Sequence, residues 1–131
     1  MILRTIAHRP AKLFGVLNMN FTQDQVDAIV REARDAAYTA ADEFFRVKLG
    51  GVDQYACGFA WTNIYRVKGN TKLGRMLKAA GVRQDYTKTF QLWNPAGYPV
   101  QNIDTLETGA RAAAEVFRKY GFDAYAGSRL D

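Results

Sequence analysis

The chain has 131 residues, 48% of them hydrophobic, and a formal net charge of +5, which suits one globular domain and excludes a disordered polyelectrolyte. No apolar run approaches the roughly 18 residues that span a bilayer, and Arg4, His8, Arg9 and Lys12 interrupt the start of the chain, so neither a membrane span nor a signal peptide is expected. Cys57 is the single cysteine, which rules out an intrachain disulfide and points to a reducing compartment.

Residues 1–21 show no clean hydrophobic period and read as an N-terminal arm, with an extended piece at Lys12–Leu17. Thr22 followed by Gln25 is a capping-box pattern. Val26, Ile29, Val30, Ala33, Ala37, Ala40, Ala41 and Phe44 then recur at helical spacing, and Gly50–Gly51 ends the run. Residues 22–49 are therefore expected to form one long amphipathic helix, or two with a break. Residues 56–67 are aromatic and β-branched without a helix signal, and read as a strand. Gly69–Asn70–Thr71 opens a short helix whose inner stripe is Leu73, Met76, Leu77 and Ala80, with Lys72, Arg75 and Lys78 outside and Gly81 closing it.

Val82–Tyr86 and Thr89–Asn94 follow as a strand hairpin, and Pro95, Gly97 and Pro99 make the next loop irregular. Asp104 with Glu107 reads as a second capping box, ahead of a helix marked by Leu106, Ala110, Ala113, Ala114 and Phe117 that stops at Gly121. Phe122–Gly127 is the last strand. The expected fold class is α+β: a ferredoxin-like β-α-β-β-α-β antiparallel sheet over 56–127, preceded by the long N-terminal amphipathic helix, all in one domain over 22–131. The alternative is a three-stranded layer in which 82–86 is only a loop.

Strand alternation divides the side chains between two faces. Ala60, Ile64, Phe90, Leu92, Phe122 and Ala124 belong beneath the two later helices. Trp61, Asn63, Tyr65, Gln91, Trp93 and Tyr125 then share the other face. Aromatic rings with interspersed amides on an open sheet can stack bases and read their edges. The same face can equally be core, covered by the 22–49 helix, or the closing surface of a homodimer.

Charge is concentrated in residues 66–90, where Arg66, Lys68, Lys72, Arg75, Lys78, Arg83 and Lys88 stand against Asp85 alone. Such a block either steers a polyanion or is simply a solvated face. The Gly69–Arg75 turn joins a strand to a helix and could offer N–H groups to an anion, but it lacks the Lys-Ser or Lys-Thr of a phosphate-binding P-loop. Asn94–Pro99 is a second candidate rim, and otherwise a rigid turn.

Catalytic readings find little to work with. Ser128 is the single serine and His8 the single histidine, the latter in the N-terminal arm, so a Ser–His or Cys–His dyad has no sequence support. One Cys and one His cannot supply a zinc site. Cys57 reads as a small buried residue. No metal, no cofactor and no enzymatic activity are expected.

From Phe44 onward the chain resembles a group of small uncharacterised proteins of tailed bacteriophages. The segments that carry the likeness are Cys57-Gly58-Phe59-Ala60-Trp61, Leu92-Trp93-Asn94-Pro95, Gly109-Ala110-Arg111-Ala112-Ala113-Ala114 and Ser128-Arg129-Leu130-Asp131. The resemblance implies an accessory protein acting on a host component in the host-cell cytoplasm, including nucleotide signals of antiphage defence. Two functions are expected on these grounds. The first is non-catalytic binding of a nucleotide or single-stranded nucleic acid, with Trp61, Tyr65 and Trp93 stacking the base, Asn63 and Gln91 reading it, and Lys68, Lys72 and Arg75 holding phosphate. The second is a protein–protein module, docking on a host or virion protein through the aromatic face or the long helix. A homo-oligomer is expected in either case, and no membrane partner.

Overall fold

The structure is a computed structural model that describes residues 20–131. Most of the expected arm, including Lys12–Leu17 and His8, lies outside the described residues. The elements are α1 (Gln23–Glu43), a π-helical turn (Phe44–Lys48), β1 (Gly58–Tyr65), α2 (Lys72–Ala79), β2 (Arg83–Gln84), β3 (Phe90–Trp93), α3 (Ile103–Lys119) and β4 (Asp123–Leu130).

The helix starts follow local hydrogen-bond chemistry. Thr22 and Gln25 form the expected reciprocal capping box on α1, each side chain accepting from the other's backbone N–H. Thr71 caps α2 by accepting from the Gly74 N–H. Gly74 packs so tightly on the preceding turn that a Cβ there would lie 2.1 Å from the Lys68 carbonyl oxygen. The cap of α3 differs from the sequence expectation. Asn102 caps it, accepting from the Thr105 N–H, while Asp104 falls inside the first turn. Asn102 is fixed there because it is fully buried, donates to the Gln54 carbonyl and has its own N–H bound by Asp53. Glu107, which would have closed the other box, is taken by Arg111 and the Ser128 hydroxyl.

The four strands form one sheet in the order β2-β3-β1-β4. Each neighbouring pair is antiparallel, with Trp61 opposite Trp93, Asn63 opposite Gln91 and Tyr125, and Gln91 opposite Arg83. The first and third strands are thus the central pair. β2 keeps two residues of the expected Val82–Tyr86, because Asp85 turns the chain: its carboxylate accepts from the N–H groups of Thr87 and Thr89. β4 runs past Gly127 to Leu130, paired with β1 along its length.

One face of the sheet is closed by helices. Ile64, Phe90, Leu92, Phe122 and Ala124 join Leu73, Met76 and Leu77 of α2 and Ala113, Ala114 and Phe117 of α3 in one core. Full burial of a Phe or Leu side chain contributes about 1.5–3 kcal/mol, so this layer supplies most of the fold's cohesion. Helix α1 belongs to the same layer. It packs chiefly along α3 and also meets α2, where Gln23 donates to the Met76 carbonyl. Its buried Ala33, Ala37 and Ala41 allow close approach, and a Cβ at Gly109 of α3 would lie 3.1 Å from the Ala37 carbonyl oxygen.

Two polar ties hold α1 in this position. Lys119 and Tyr120 both bond Glu32, and the Tyr98 hydroxyl donates to Asp42 at 2.7 Å. Phe21 stacks on Phe122, so the residue before the cap packs with the domain. The burial need of α1 is met on the helical side, which overturns the reading in which 22–49 covers the aromatic face.

Candidate functional site

The opposite face is laid out by register in cross-strand rows. Trp93, Trp61 and Gly127 make one row, and Arg83, Gln91, Asn63 and Tyr125 the next. The two indoles stack in parallel, 5.4 Å between centroids and 4° between planes. This is the offset geometry that aromatic quadrupoles favour. Phe59 leans on Trp93 from the side, with the Arg129 guanidinium over the Phe59 ring at 4.8 Å. Toward the other end Tyr65 packs on Tyr125, and Arg118 lies over the Tyr125 ring.

Gly127 makes the tryptophan stack feasible. A Cβ there would lie 2.6 Å from the Trp61 indole nitrogen, so Trp61 lies directly against bare backbone. That nitrogen is buried without a hydrogen-bond partner. Trp93 is 49% exposed, and Tyr65 is 40% exposed, which leaves aromatic surface available between the rims. Gln91 donates to Asn63 at 3.1 Å and lies 3.4 Å from an Asp85 oxygen. The Thr87 hydroxyl bound to Asp85 holds that carboxyl below its ordinary range, so it stays ionised at neutral pH.

The structure therefore brings Trp61, Asn63, Tyr65, Gln91 and Trp93 onto one face, but not Lys72 and Arg75. Those two are exposed on the outer side of α2, in the layer beyond the sheet, and Arg75 donates to the Asn70 carbonyl. Alternation explains the separation, since a helix that buries Leu73 and Leu77 beneath the sheet must turn its cations away from the far face. Lys68 lies between the two, lining with Lys78, Lys88 and Gln84 an open concavity of about 410 Å³.

A cleft of about 450 Å³ lies beside Trp93 and Gln91, and among the described residues its cations are Arg34 and Arg83. Neither was among the sequence candidates. Arg83 belonged to the basic block, but its alignment with Gln91 needs the strand register. Arg34 comes from α1 and carries no local signal at all. Cys57 is another correction: it is exposed, with Sγ 3.6 Å from the Gln101 side-chain oxygen, because its residue pairs with Asn102 at the sheet margin outside the named strands. Ser128 donates to Glu107. Among the described residues no group of three or more His, Cys, Asp or Glu could hold a metal ion. Among the described residues, no helix is long and apolar enough to cross a membrane.

The chain matches no protein-family model, no curated protein and no solved structure.

Proposed function

We propose that this chain is a non-catalytic binding protein that takes a nucleotide or single-stranded nucleic acid on its aromatic sheet face. The observation that carries the reading is the parallel Trp61–Trp93 pair, left half open on the sheet face that no described helix covers. A base stacked on such a surface gains about 1–3 kcal/mol and needs no particular sequence. Asn63 and Gln91 lie in the adjoining row, where they would read the base edge. The strand order β2-β3-β1-β4, antiparallel throughout, supports reading the β1–β4 unit as ferredoxin-like, with α1 as an added element of its helical layer. The resemblance to tailed-bacteriophage proteins supports an accessory role in the host cytoplasm, such as sequestering a nucleotide signal of host defence.

Tryptophan fluorescence tests this directly, because both tryptophans of the chain are in the stack. Oligonucleotides or cyclic nucleotides are expected to quench it at low salt, with affinity falling steeply as salt rises.

A protein–protein module is the second reading, and the exposed Trp93 and Tyr65 favour it equally. Docking of an apolar partner, or of a second copy of this chain, would be nearly insensitive to salt.

A further inference from the structure

We infer that the phosphate of the bound ligand is held in the Arg34–Arg83 cleft beside Trp93, and not by Lys72 and Arg75 on α2. The inference rests on the binding reading above and gives its ligand a direction. A base on the tryptophan stack would lead its phosphate toward β2 and the neighbouring end of the helical layer.

Three observations converge on this cleft. The first is position. Arg83 is opposite Gln91 in the β2–β3 register, so its side chain springs from the same sheet face as Gln91 and Trp93. β2 begins only at Arg83, opposite Gln91, which leaves Trp93 without an outer strand partner. Arg34 of α1 and Arg83 line the opening of about 450 Å³ that remains, together with Gln84, Gln91 and Trp93.

The second observation is availability. Arg66, Arg46 and Arg111 are committed to carboxylates, Arg118 and Arg75 donate to carbonyls, and Arg129 lies over Phe59. The side chains of Arg34 and Arg83, like that of Arg31, have no ion pair, hydrogen bond or ring contact with any described residue, and of these three only Arg34 and Arg83 line the cleft. Both are exposed. Two guanidinium groups that line one concavity, unpaired among the described residues, repel each other, and an anion between them would relieve that repulsion.

The third observation is chemical match. Guanidinium offers planar paired donors that suit phosphate oxygens, and it stacks readily on aromatic faces. The lining thus joins an aromatic ring, an amide and two cations, the set of groups that a base linked to a phosphate requires. Mononucleotides and single-stranded nucleic acid share this chemistry.

The test compares two double variants by tryptophan quenching, with oligothymidylate and with adenosine monophosphate as separate probes. Arg34→Gln with Arg83→Gln is expected to weaken binding at least about tenfold at low salt. For oligothymidylate it should also flatten the slope of log affinity against log salt by about 1.4, the loss of two single-strand phosphate contacts. Lys72→Gln with Arg75→Gln is expected to change affinity less than about twofold. A tenfold loss for both probes supports a site that takes a mononucleotide, and a loss for oligothymidylate alone supports a strand-binding site. Wild-type quenching that persists unchanged in the Arg34/Arg83 variant overturns the cleft inference and leaves the stacking platform standing. No quenching of the wild type by either probe overturns both. All four positions are exposed, so matched melting curves separate lost binding from lost folding.

Discussion

Neighbouring residues of β1 meet opposite conditions. Thr62 and Ile64 are closed beneath the helices, and the Thr62 hydroxyl donates to the Ala110 carbonyl at 2.9 Å. Trp61 and Tyr65 stand on the other face, where a buried indole N–H has no partner and rings remain open to solvent. The covered face is satisfied and close-packed, as a layer that sustains folding must be. The open face keeps large exposed aromatic area, with Arg34 and Arg83 at its rim unpaired among the described residues. The contrast teaches that one side of a single sheet carries the packed core while the other leaves aromatic surface open to solvent.

Substitutions on the covered side give the largest stability effects. Phe117 is fully buried and packs edge-on against Phe122. Phe117→Ala is expected to cost about 3–5 kcal/mol in chemical denaturation, by leaving a cavity. Gly109→Ala tests the seating of α1 on α3. Its Cβ would lie 2.9 Å from the Ala96 Cβ as well as close to the Ala37 carbonyl, so overpacking of about 1–3 kcal/mol is expected. A neutral Gly109→Ala variant would show that α1 is not held against α3 as described.

Gly127→Ala probes the open side with a smaller effect. The new methyl group would push the Trp61 indole off the strand and break its parallel contact with Trp93. Near-ultraviolet circular dichroism should lose the tryptophan-pair signal, while stability falls by only about 1 kcal/mol, the worth of an aromatic pair.

The smallest effect is electrostatic and belongs to the tie between α1 and the loop at Tyr98. The Tyr98 hydroxyl donating to Asp42 lowers the Asp42 pKa from 3.8, so this stabilisation is present above that value and is lost as pH falls through the depressed one. The same bond pushes Tyr98 from 10.0 up to about 12, so its contribution holds below pH 10 and is lost as pH rises toward 12. Tyr98→Phe should flatten the alkaline limb of a denaturation-midpoint profile, leaving the region around neutral pH with its shape unchanged.

Local chemistry made much of this arrangement readable from the chain. The Thr22–Gln25 box, the helical stripe from Val26 to Ala41 and the alternation along β1 and β3 all depend on neighbours within a few residues. The same alternation is enough to put Trp61, Asn63, Tyr65, Gln91 and Trp93 on one face. What was not readable depends on distant partners. Asn102 became the cap of α3 because Asp53 and Gln54 hold it, some fifty residues away. The side of the sheet on which α1 packs depends on its contact with α3, where Ala37 of α1 meets Gly109, a pairing of residues far apart in sequence. Arg34 could enter the cleft only as a consequence of that choice. Lys72 and Arg75 looked suitable because the basic block is contiguous in sequence, whereas their helix carries them to the far layer.

Trp93→Ala tests the division between the two faces most directly, with one denaturation curve and one titration. If the open face serves recognition, folding stability falls by no more than about 1.5 kcal/mol, the upper worth of an aromatic pair, while affinity for oligothymidylate or adenosine monophosphate drops by about 1–3 kcal/mol. A stability loss of about 3–5 kcal/mol, as for a filled core position, with ligand affinity unchanged, would contradict the account.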